Sequence, residues 1–240
     1  MRRFFAEKLD ISGGEAVLCG DEARHIKNVL RYKTGDEVLL IDGGGAETLA
    51  EIVSLGDNEV RLALKESRAC PADPEVRVTL FQCLPKQGKM ELIIQKCVEL
   101  GVSEIVPAAS KRCVVKLDGK DNKLARWNKV SAEAAKQCGR ATVPAVKAPI
   151  SLDKADLSGF ALVLIPYENE GETTLKSVLR GREAPASIAV IIGPEGGFEP
   201  AEVEYVLNKG GVAVSLGRRI LRTETAGMAA VAQIMYELEQ

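Results

Sequence analysis

The sequence lacks the residues and spacings of the common metal and disulfide proteins. Its 240 residues include a single histidine, and its six cysteines are scattered without a CxxC pair. This distribution argues against a zinc cluster and against a disulfide framework, and it favours reduced, mostly buried thiols. We therefore expect a cytoplasmic protein without a bound metal.

The sequence also lacks long apolar runs and a strong charge of either sign. No apolar stretch reaches about 18 residues, so no membrane span is predicted. The first five residues are followed by polar ones rather than by an apolar segment, so no signal peptide is predicted. The net charge is -2, so any contact with nucleic acid must come from a local patch.

The first seventy residues predict a small β-domain. Short strand-like runs occupy residues 37–42, 49–55 and 60–65, and glycine-rich turns separate them. In the last run Val60, Leu62 and Leu64 alternate onto one face. Short strands at this spacing suggest a small barrel. Residues 68–75, with two prolines, are predicted to be a linker, which gives domains at 1–70 and 71–240.

After the linker the pattern alternates between strands and helices, which predicts an α/β domain. Apolar segments without alternation are typical of parallel strands covered on both faces. Strands are predicted in 76–84, 103–110, 160–168, 187–193 and 212–217, and helices in 88–100, 121–139, 199–210 and 223–239.

A glycine-rich turn, GPEGG at residues 193–197, leaves one of these strands. It matches neither GxxxxGK[ST] nor GxGxxG, so a nucleoside triphosphate and a nicotinamide dinucleotide are not expected. Glu195 disfavours phosphate, and a neutral or cationic ligand fits the turn better. The alternative is a tight strand-to-helix turn that holds no ligand.

Two further strand exits are expected to converge with this turn on one pocket. In open α/β sheets, ligands bind at the carboxyl edge, where the strands end. Residues 215–227 leave a strand through a glycine and carry three arginines before the last helix. Thr223 or Thr225 is expected to cap that helix, and Glu224 suits its positive end. Residues 164–170 offer Glu168 for a ribose hydroxyl or an amine.

A basic helix face is predicted in the first domain. Arg24, Lys27 and Arg31 lie on one side of a helix, opposite the apolar Ile26, Val29 and Leu30. With Arg2, Arg3 and Lys33 nearby in sequence, this face is interpreted as phosphate contacts to RNA. The alternative is a solvated face, which the excess of acidic residues in this domain favours. His25 is either structural or an RNA contact.

The two carboxyl-terminal motifs together resemble those of a known family. The segments IIGPEGGFEPAEVE and LGRRILRTETA are similar to motifs of the ribosomal RNA small subunit methyltransferase E family, within the SPOUT superfamily. RRFF and RHIKNVLRYKTGDEV resemble its amino-terminal domain, and LPKQGKMELIIQKCVELGV and SAEAAKQCGR resemble its central motifs. The resemblance extends over the whole chain.

The resemblance implies a small N-terminal PUA-like β-barrel and a C-terminal SPOUT α/β domain with a trefoil knot. It implies a homodimer that uses S-adenosylmethionine to methylate N3 of a uridine in 16S ribosomal RNA, within the small ribosomal subunit. The cofactor is a sulfonium cation without phosphate, in keeping with the glycine turn. The implied cofactor residues are Pro166, Glu168, Ile192, Gly193, Pro194, Glu195, Gly196, Gly197, Leu216, Gly217, Ile220, Leu221, Arg222, Thr225 and Ala226.

The chemistry suggests catalytic candidates. Arg222 can stabilise negative charge on a uracil oxygen when N3 loses its proton, and Glu224 can accept a proton, orient Arg222 or only cap the helix. Glu133, Gln137 and Arg140 share one predicted helix face, which is either solvated or, as the resemblance implies, near the RNA or the partner subunit's site. Arg140 is therefore a third catalytic candidate. The RNA contacts expected are Arg2, Arg3, Arg24, His25, Lys27, Arg31, Lys86 and Arg112, with Lys89 also a candidate.

Three alternatives remain open at this point. The same fold could methylate a ribose 2′-hydroxyl or another base. The chain could be a non-catalytic ribosome-assembly factor that binds RNA and has lost its cofactor. It could also methylate a small molecule, in which case activity would not need RNA.

Overall fold

The computed structural model describes residues 1–6, 9–10, 13–86, 88–114, 122–181 and 183–239. It divides into two compact units. The first contains Met1–Asp73 and Ala135–Val143, and the second contains Pro74–Ala134 and Pro144–Gln240. The division after Asp73 lies inside the predicted linker. A short segment that the sequence analysis assigned to the second domain belongs to the first unit.

The first unit is built on one mainly antiparallel sheet. Its strands are β1 (Arg3–Phe5), β2 (Leu9–Asp10), β3 (Glu15–Cys19), β4 (Glu37–Ile41), β5 (Ala46–Leu55) and β6 (Glu59–Ala69). Their order is β1-β4-β5-β6-β3-β2, with β1 and β4 parallel. The last three strands in sequence correspond to the predicted runs, whereas β1 to β3 were not predicted.

The core of this unit lies against one face of the sheet. Ile26, Leu40, Ile52 and Leu62 are fully buried there. The positions of Leu40, Ile52 and Leu62 follow the alternation of strands, in which every second side chain points to the same face. The predicted alternation is confirmed in β6, where Val60 is also fully buried.

The predicted basic helix is shorter and wider than the sequence analysis assumed. It consists of α1 (Gly20–Arg24) and a π-helical turn (His25–Val29), in which the Leu30 amide donates to the His25 carbonyl at 3.0 Å. A π turn changes the angle between successive side chains. Ile26 is buried as predicted, but Val29 is 70% exposed, so its predicted place on the apolar side is wrong.

The second unit is built on a parallel sheet. Its strands are β7 (Val78–Cys83), β8 (Glu104–Ala109), β9 (Ala145–Val146), β10 (Ile150–Ser151), β11 (Leu162–Pro166), β12 (Ile188–Ile192) and β13 (Val212–Val214). The order is β10-β8-β7-β12-β11-β13, with β9 beside β8. Every pair is parallel, as the apolar segments predicted. Only the short β9 and β10 were missed.

Among the described residues five α-helices accompany these strands, four between strands and one after the last: α2 (Met90–Glu99), α3 (Asn122–Cys138), α4 (Leu175–Leu179), α5 (Pro200–Asn208) and α6 (Thr223–Leu238). Four of them match predicted segments, and α4 was not predicted. In α5, Pro200 occupies the first turn as expected, and Glu199 and Glu202 form a reciprocal capping box. The predicted threonine cap of α6 is wrong, because Arg222 is the N-cap residue and makes no side-chain cap bond.

Helix α3 ends at Cys138, two residues before Arg140, so it is too short for the predicted face of Glu133, Gln137 and Arg140. Gly139 has a φ of 82° and stops the helix after Cys138. Arg140 therefore lies beyond the helix, where its Nε donates to Asp73 Oδ1 at 3.1 Å and its side chain is buried. Glu133 and Gln137 are exposed, so the prediction of one shared face is wrong for Arg140.

Candidate functional site

Three strand exits of the second unit line one cavity of about 590 Å³. Strands β11, β12 and β13 are neighbours and parallel, so their carboxyl ends meet at the same edge of the sheet. The segments that follow them, residues 166–168, 193–198 and 215–223, form the walls. A cavity of this size and place is typical of a small-molecule site in an open α/β sheet.

The residues predicted for the cofactor lie together in this cavity. All of them line it except Thr225, which is exposed in the first turn of α6. Thr223 is the threonine that contacts the turn, since its hydroxyl donates to the Gly193 carbonyl at 2.6 Å and accepts from Gln82 Nε2 at 2.9 Å. This chain of bonds joins α6 to the ends of β12 and β7.

The glycine turn is packed too closely for side chains. A Cβ on Gly193 would lie 3.0 Å from the Phe198 ring, and one on Gly197 would lie 2.6 Å from Glu168 Oε1. Gly197 also has a φ of 68°, a conformation that favours glycine. On the outer side, Arg112 Nη1 donates to the Gly196 carbonyl at 3.1 Å. The backbone of the turn is thus presented to the cavity.

Lys89 joins two walls of the cavity by its charge. Its ammonium lies 3.0 Å from Glu224 Oε1 and 3.9 Å from Glu195 Oε1, and all three side chains are mostly buried. Burial on its own would raise the pKa of Glu224, but the backbone amide of that residue and the Lys89 ammonium hold this pKa below its ordinary value. Glu224 is therefore a carboxylate at neutral pH.

The loop between β13 and α6 presents a different set of charges. Arg218, Arg219 and Arg222 line the cavity and are exposed. Within the part of the chain that the structure describes, no hydrogen bond or ion pair holds their guanidinium groups. Ile220, between them, is 90% exposed. The mouth of the cavity is therefore cationic with one apolar side chain.

Several cavity residues escaped the sequence analysis. Six of them lie inside or beside the predicted segments, so the rule that ligands bind at strand exits could have identified them as cavity residues: Tyr167, Phe198, Ser215, Arg218, Arg219 and Thr223. Lys89 was considered only as an RNA contact. Its position follows from β7 being the neighbour of β12, which brings the segment after β7 to the same edge of the sheet.

Half of the six predicted RNA contacts in the first unit are ion-paired. The pairs are Arg3 with Glu47, Arg24 with Asp21, and Lys27 with Asp57. Arg2 and Arg31 are exposed, and no pair holds them among the described residues. The rings of His25 and Phe4 meet edge-on, with their centroids 6.4 Å apart. This contact favours the structural interpretation of His25. In the second unit, Lys86 is exposed next to the turn, and its backbone amide donates to Glu195.

Among the described residues, no helix is long and apolar enough to cross a membrane. No group of three or more histidine, cysteine, aspartate and glutamate side chains in that part of the chain is arranged to hold a metal ion.

Comparison with known proteins gives the same picture for both units. Residues 72–235 match the family model of the RNA methyltransferase domain, and residues 18–65 match that of the RNA methyltransferase PUA domain. The ribosomal RNA small subunit methyltransferase E of Bacillus subtilis is 34% identical, over 100% of this chain and 98% of that protein. That of Mycobacterium tuberculosis is 33% identical, over 96% and 90%.

Solved structures agree with these relatives. A ribosomal RNA small subunit methyltransferase E from Neisseria gonorrhoeae, bound to S-adenosyl methionine, superposes with a TM-score of 0.81 at 32% identity, over 99% of this chain and 98% of that chain. A putative methyltransferase from Legionella pneumophila with bound cofactor SAM gives 0.77 at 29%, over 98% and 96%.

The parallel sheet, the cavity at its carboxyl edge and the PUA domain define an RNA methyltransferase. Within that class, the chain belongs to the ribosomal RNA small subunit methyltransferase E family. The resemblance of the two carboxyl-terminal motifs is thereby confirmed.

Proposed function

We propose that this chain transfers the methyl group of S-adenosylmethionine to N3 of a uridine in 16S ribosomal RNA, as a homodimer acting on the small ribosomal subunit. The observation that carries the proposal is the cavity itself. The cavity combines a glycine-rich turn, residues 193–197, whose backbone can bind the donor, with an exposed arginine, Arg222, on the segment that precedes α6. The family of the chain and the relatives bound to the same donor support it.

The residues of the cavity fit the donor. Glu168 and Glu195 place carboxylates beside the turn, and a carboxylate attracts a sulfonium cation while it repels phosphate. The exposed backbone of residues 193–197 and 216–217 offers donors and acceptors to an adenosine without requiring charged side chains. S-adenosylmethionine, when bound there, supplies an electrophilic methyl group.

Arg222 and Glu224 have different proposed tasks. N3 of uridine must lose its proton before it can attack, and the charge that develops on a uracil oxygen can be stabilised by the Arg222 guanidinium. Glu224 is held by Lys89 with a lowered pKa, which makes it a weak proton acceptor. We therefore assign Glu224 to the orientation of Arg222 by charge rather than to proton removal.

The remaining assignments are also proposals. Arg140 stays a predicted member of the catalytic set, although in the first unit its guanidinium is bonded to Asp73. The RNA contacts in the first unit, the trefoil knot and the dimer likewise stay predictions from the resemblance. If they hold, the enzyme takes part in ribosome biogenesis through modification of ribosomal RNA.

The test is transfer of a labelled methyl group from S-adenosylmethionine to small ribosomal subunits that lack the modification, followed by identification of the product nucleoside. We expect N3-methyluridine, with no incorporation into subunits that already carry it. Another methylated nucleoside would overturn the uridine-N3 assignment. Absence of transfer, together with absence of donor binding by calorimetry, would favour the assembly-factor alternative.

A further inference from the structure

We propose that residues 217–222, the arginine loop, grip the RNA strand that carries the target nucleotide. In this proposal Arg218 and Arg219 contact phosphates beside the cavity, and Ile220 packs against an unstacked base. The inference rests on the proposed function, since it names the surface through which that RNA approaches. It assigns this task to a loop outside the predicted RNA contacts.

The charges of the loop are available to a ligand. Arg218 and Arg219 are exposed, and no described carboxylate forms an ion pair with them. Glu224 and Glu195 lie 3.0 and 3.9 Å from the Lys89 ammonium, and Glu168, which also lines the cavity, forms no ion pair with the loop among the described residues. Because a paired cation attracts phosphate weakly and an unpaired one strongly, the loop is the favoured polyanion contact around the cavity.

The backbone and the side chains of the arginine loop distinguish it from an ordinary solvated turn. Gly217 has a φ of 120°, and its amide is bonded to Ser215 Oγ at 3.3 Å, which directs the chain outward after β13. Ile220 is 90% exposed between cations. An isolated apolar side chain among arginines at the mouth of a cavity suits a nucleic-acid strand, in which phosphates alternate with apolar base faces.

The loop is also placed where the chemistry requires RNA to be held. A base that is methylated on its pairing edge must leave its stack, and the enzyme must compensate for the lost stacking. Arg218, Arg219 and Ile220 all line the cavity that we assign to the methyl donor. Contacts from this loop would therefore hold the strand next to the reacting atoms.

The experiment compares Arg218→Ala/Arg219→Ala with a control that removes two exposed cations that do not line the cavity, Arg77→Ala/Lys154→Ala. Arg77 precedes β7 and Lys154 follows β10, and neither has an ion pair among the described residues. Binding to unmodified small ribosomal subunits and to 16S RNA transcript is measured by filter retention over a range of salt. KM for the subunits and the affinity for S-adenosylmethionine are measured in parallel.

We expect the loop variant to raise KM for the subunits roughly tenfold, and to reduce the slope of log affinity against log salt by about 1.4, because two phosphate contacts to a single strand are lost. Donor affinity should stay within about threefold, and Arg218→Lys/Arg219→Lys should retain most of the salt slope. Ile220→Ser should weaken binding a fewfold and leave the slope unchanged.

An unchanged KM and salt slope in the loop variant would overturn the inference even if the wild-type enzyme methylates subunits. A change in sedimentation with unchanged RNA binding would overturn it in favour of contact between two copies of the chain. Filter retention does not depend on methyl transfer. A wild-type protein that binds RNA without transferring methyl would therefore contradict the proposed function. The loop inference would then be decided by the salt dependence of RNA binding alone.

Discussion

The paired cations of the first unit and the arginines at the cavity of the second unit are arranged in opposite ways. In the first unit, basic side chains stand beside acidic ones, as Lys65 does between Glu37 and Glu51, and as Lys27 does beside Asp57. At the cavity of the second unit, Arg218, Arg219 and Arg222 have no such partners among the described residues. The difference teaches that the number of cations in a segment is a poor guide to its use. The carboxylates around them decide whether phosphate is attracted.

The difference has a local cause in each unit. Neighbouring antiparallel strands place side chains of different sequence segments directly opposite each other, so lysine and glutamate meet across β4, β5 and β6. The loop before α6 has no cross-strand neighbour. Its nearest carboxylate, Glu224, is bound by Lys89 from another segment, which leaves Arg222 free to act on a substrate.

The largest expected effect comes from the unpaired cation closest to the proposed chemistry. Arg222→Ala should reduce the rate of methyl transfer roughly hundredfold to thousandfold, as loss of one charge-stabilising donor does in other enzymes. Donor affinity, measured by calorimetry, should change by less than about threefold. Equal losses of rate and donor affinity would show that Arg222 holds the cofactor rather than the developing charge.

The next effect tests a paired region, by removing the carboxylate that holds two cations. Glu47 is fully buried and accepts from Arg3 Nε at 3.0 Å and Arg68 Nε at 2.8 Å. Glu47→Gln should lower the free energy of unfolding by about 2–4 kcal/mol, because Arg3 and the largely exposed Arg68 lose a fully buried charged partner. Urea unfolding at neutral pH measures this, with the exposed Glu66→Gln as the matched control.

Glu47 also predicts a pH dependence. Burial would raise its pKa, but hydrogen bonds from Arg68 and Arg3 hold that pKa below the ordinary glutamate value. A lowered pKa means that its contribution to stability is complete above the unfolded-state pKa, and is lost as the pH falls through the folded-state value. Wild-type protein should lose more stability than Glu47→Gln on acidification. Parallel curves would contradict the ion pairs.

A smaller effect is expected from the one cation of the cavity that is paired. Lys89→Met leaves Glu224 and Glu195 without their partner, so the Glu224 carboxylate can draw Arg222 into an ion pair. We expect the rate of methyl transfer to fall roughly tenfold at neutral pH. Part of this loss should be recovered as the pH falls through the pKa of Glu224, which rises without Lys89, because the protonated Glu224 no longer draws Arg222.

Two further variants make this prediction specific. Lys89→Arg keeps the charge and should retain most of the rate. Lys89→Met/Glu224→Gln should recover part of it, because the unpaired carboxylate is then absent. If the double variant is as slow as the product of the two single losses, the coupling through charge is absent and Lys89 serves only as packing.

Local patterns predicted the fold and most of the cavity. The apolar segments gave the parallel strands, and the rule that ligands lie at strand carboxyl ends brought residues 166–168, 193–197 and 216–222 together. Local sequence patterns failed to predict the position of a side chain where that position depended on residues distant in sequence or on small changes in helix geometry. The π turn at His25–Val29 moved Val29 outward, and the left-handed Gly139 removed Arg140 from its predicted face.

Charge pairing is the clearest case of information that a single segment does not contain. Arg3 looks like an exposed amino-terminal cation, yet its guanidinium binds Glu47, which lies 44 positions away. Lys89 pairs with Glu224, which lies 135 positions away. Such pairs follow from the order of strands in the sheets, which the sequence pattern does not specify.

The smallest effect expected here sharpens the comparison within the first unit itself. Arg24→Ala/Lys27→Ala removes two cations that already have carboxylate partners, whereas Arg2→Ala/Arg31→Ala removes two that have none among the described residues. The first variant should change KM for small ribosomal subunits by less than about twofold. An exposed ion pair contributes little to phosphate binding, and the carboxylate that stays behind is screened at the solvated surface.

The second variant removes the same charge from the same unit, and should raise KM by about threefold to tenfold with a shallower salt slope. Both variants should keep the wild-type stability in urea, which separates binding from folding. If the paired residues proved as important as the unpaired ones, the predicted basic face of the first unit would act by its total charge. The pairing of its cations would then be broken when RNA binds.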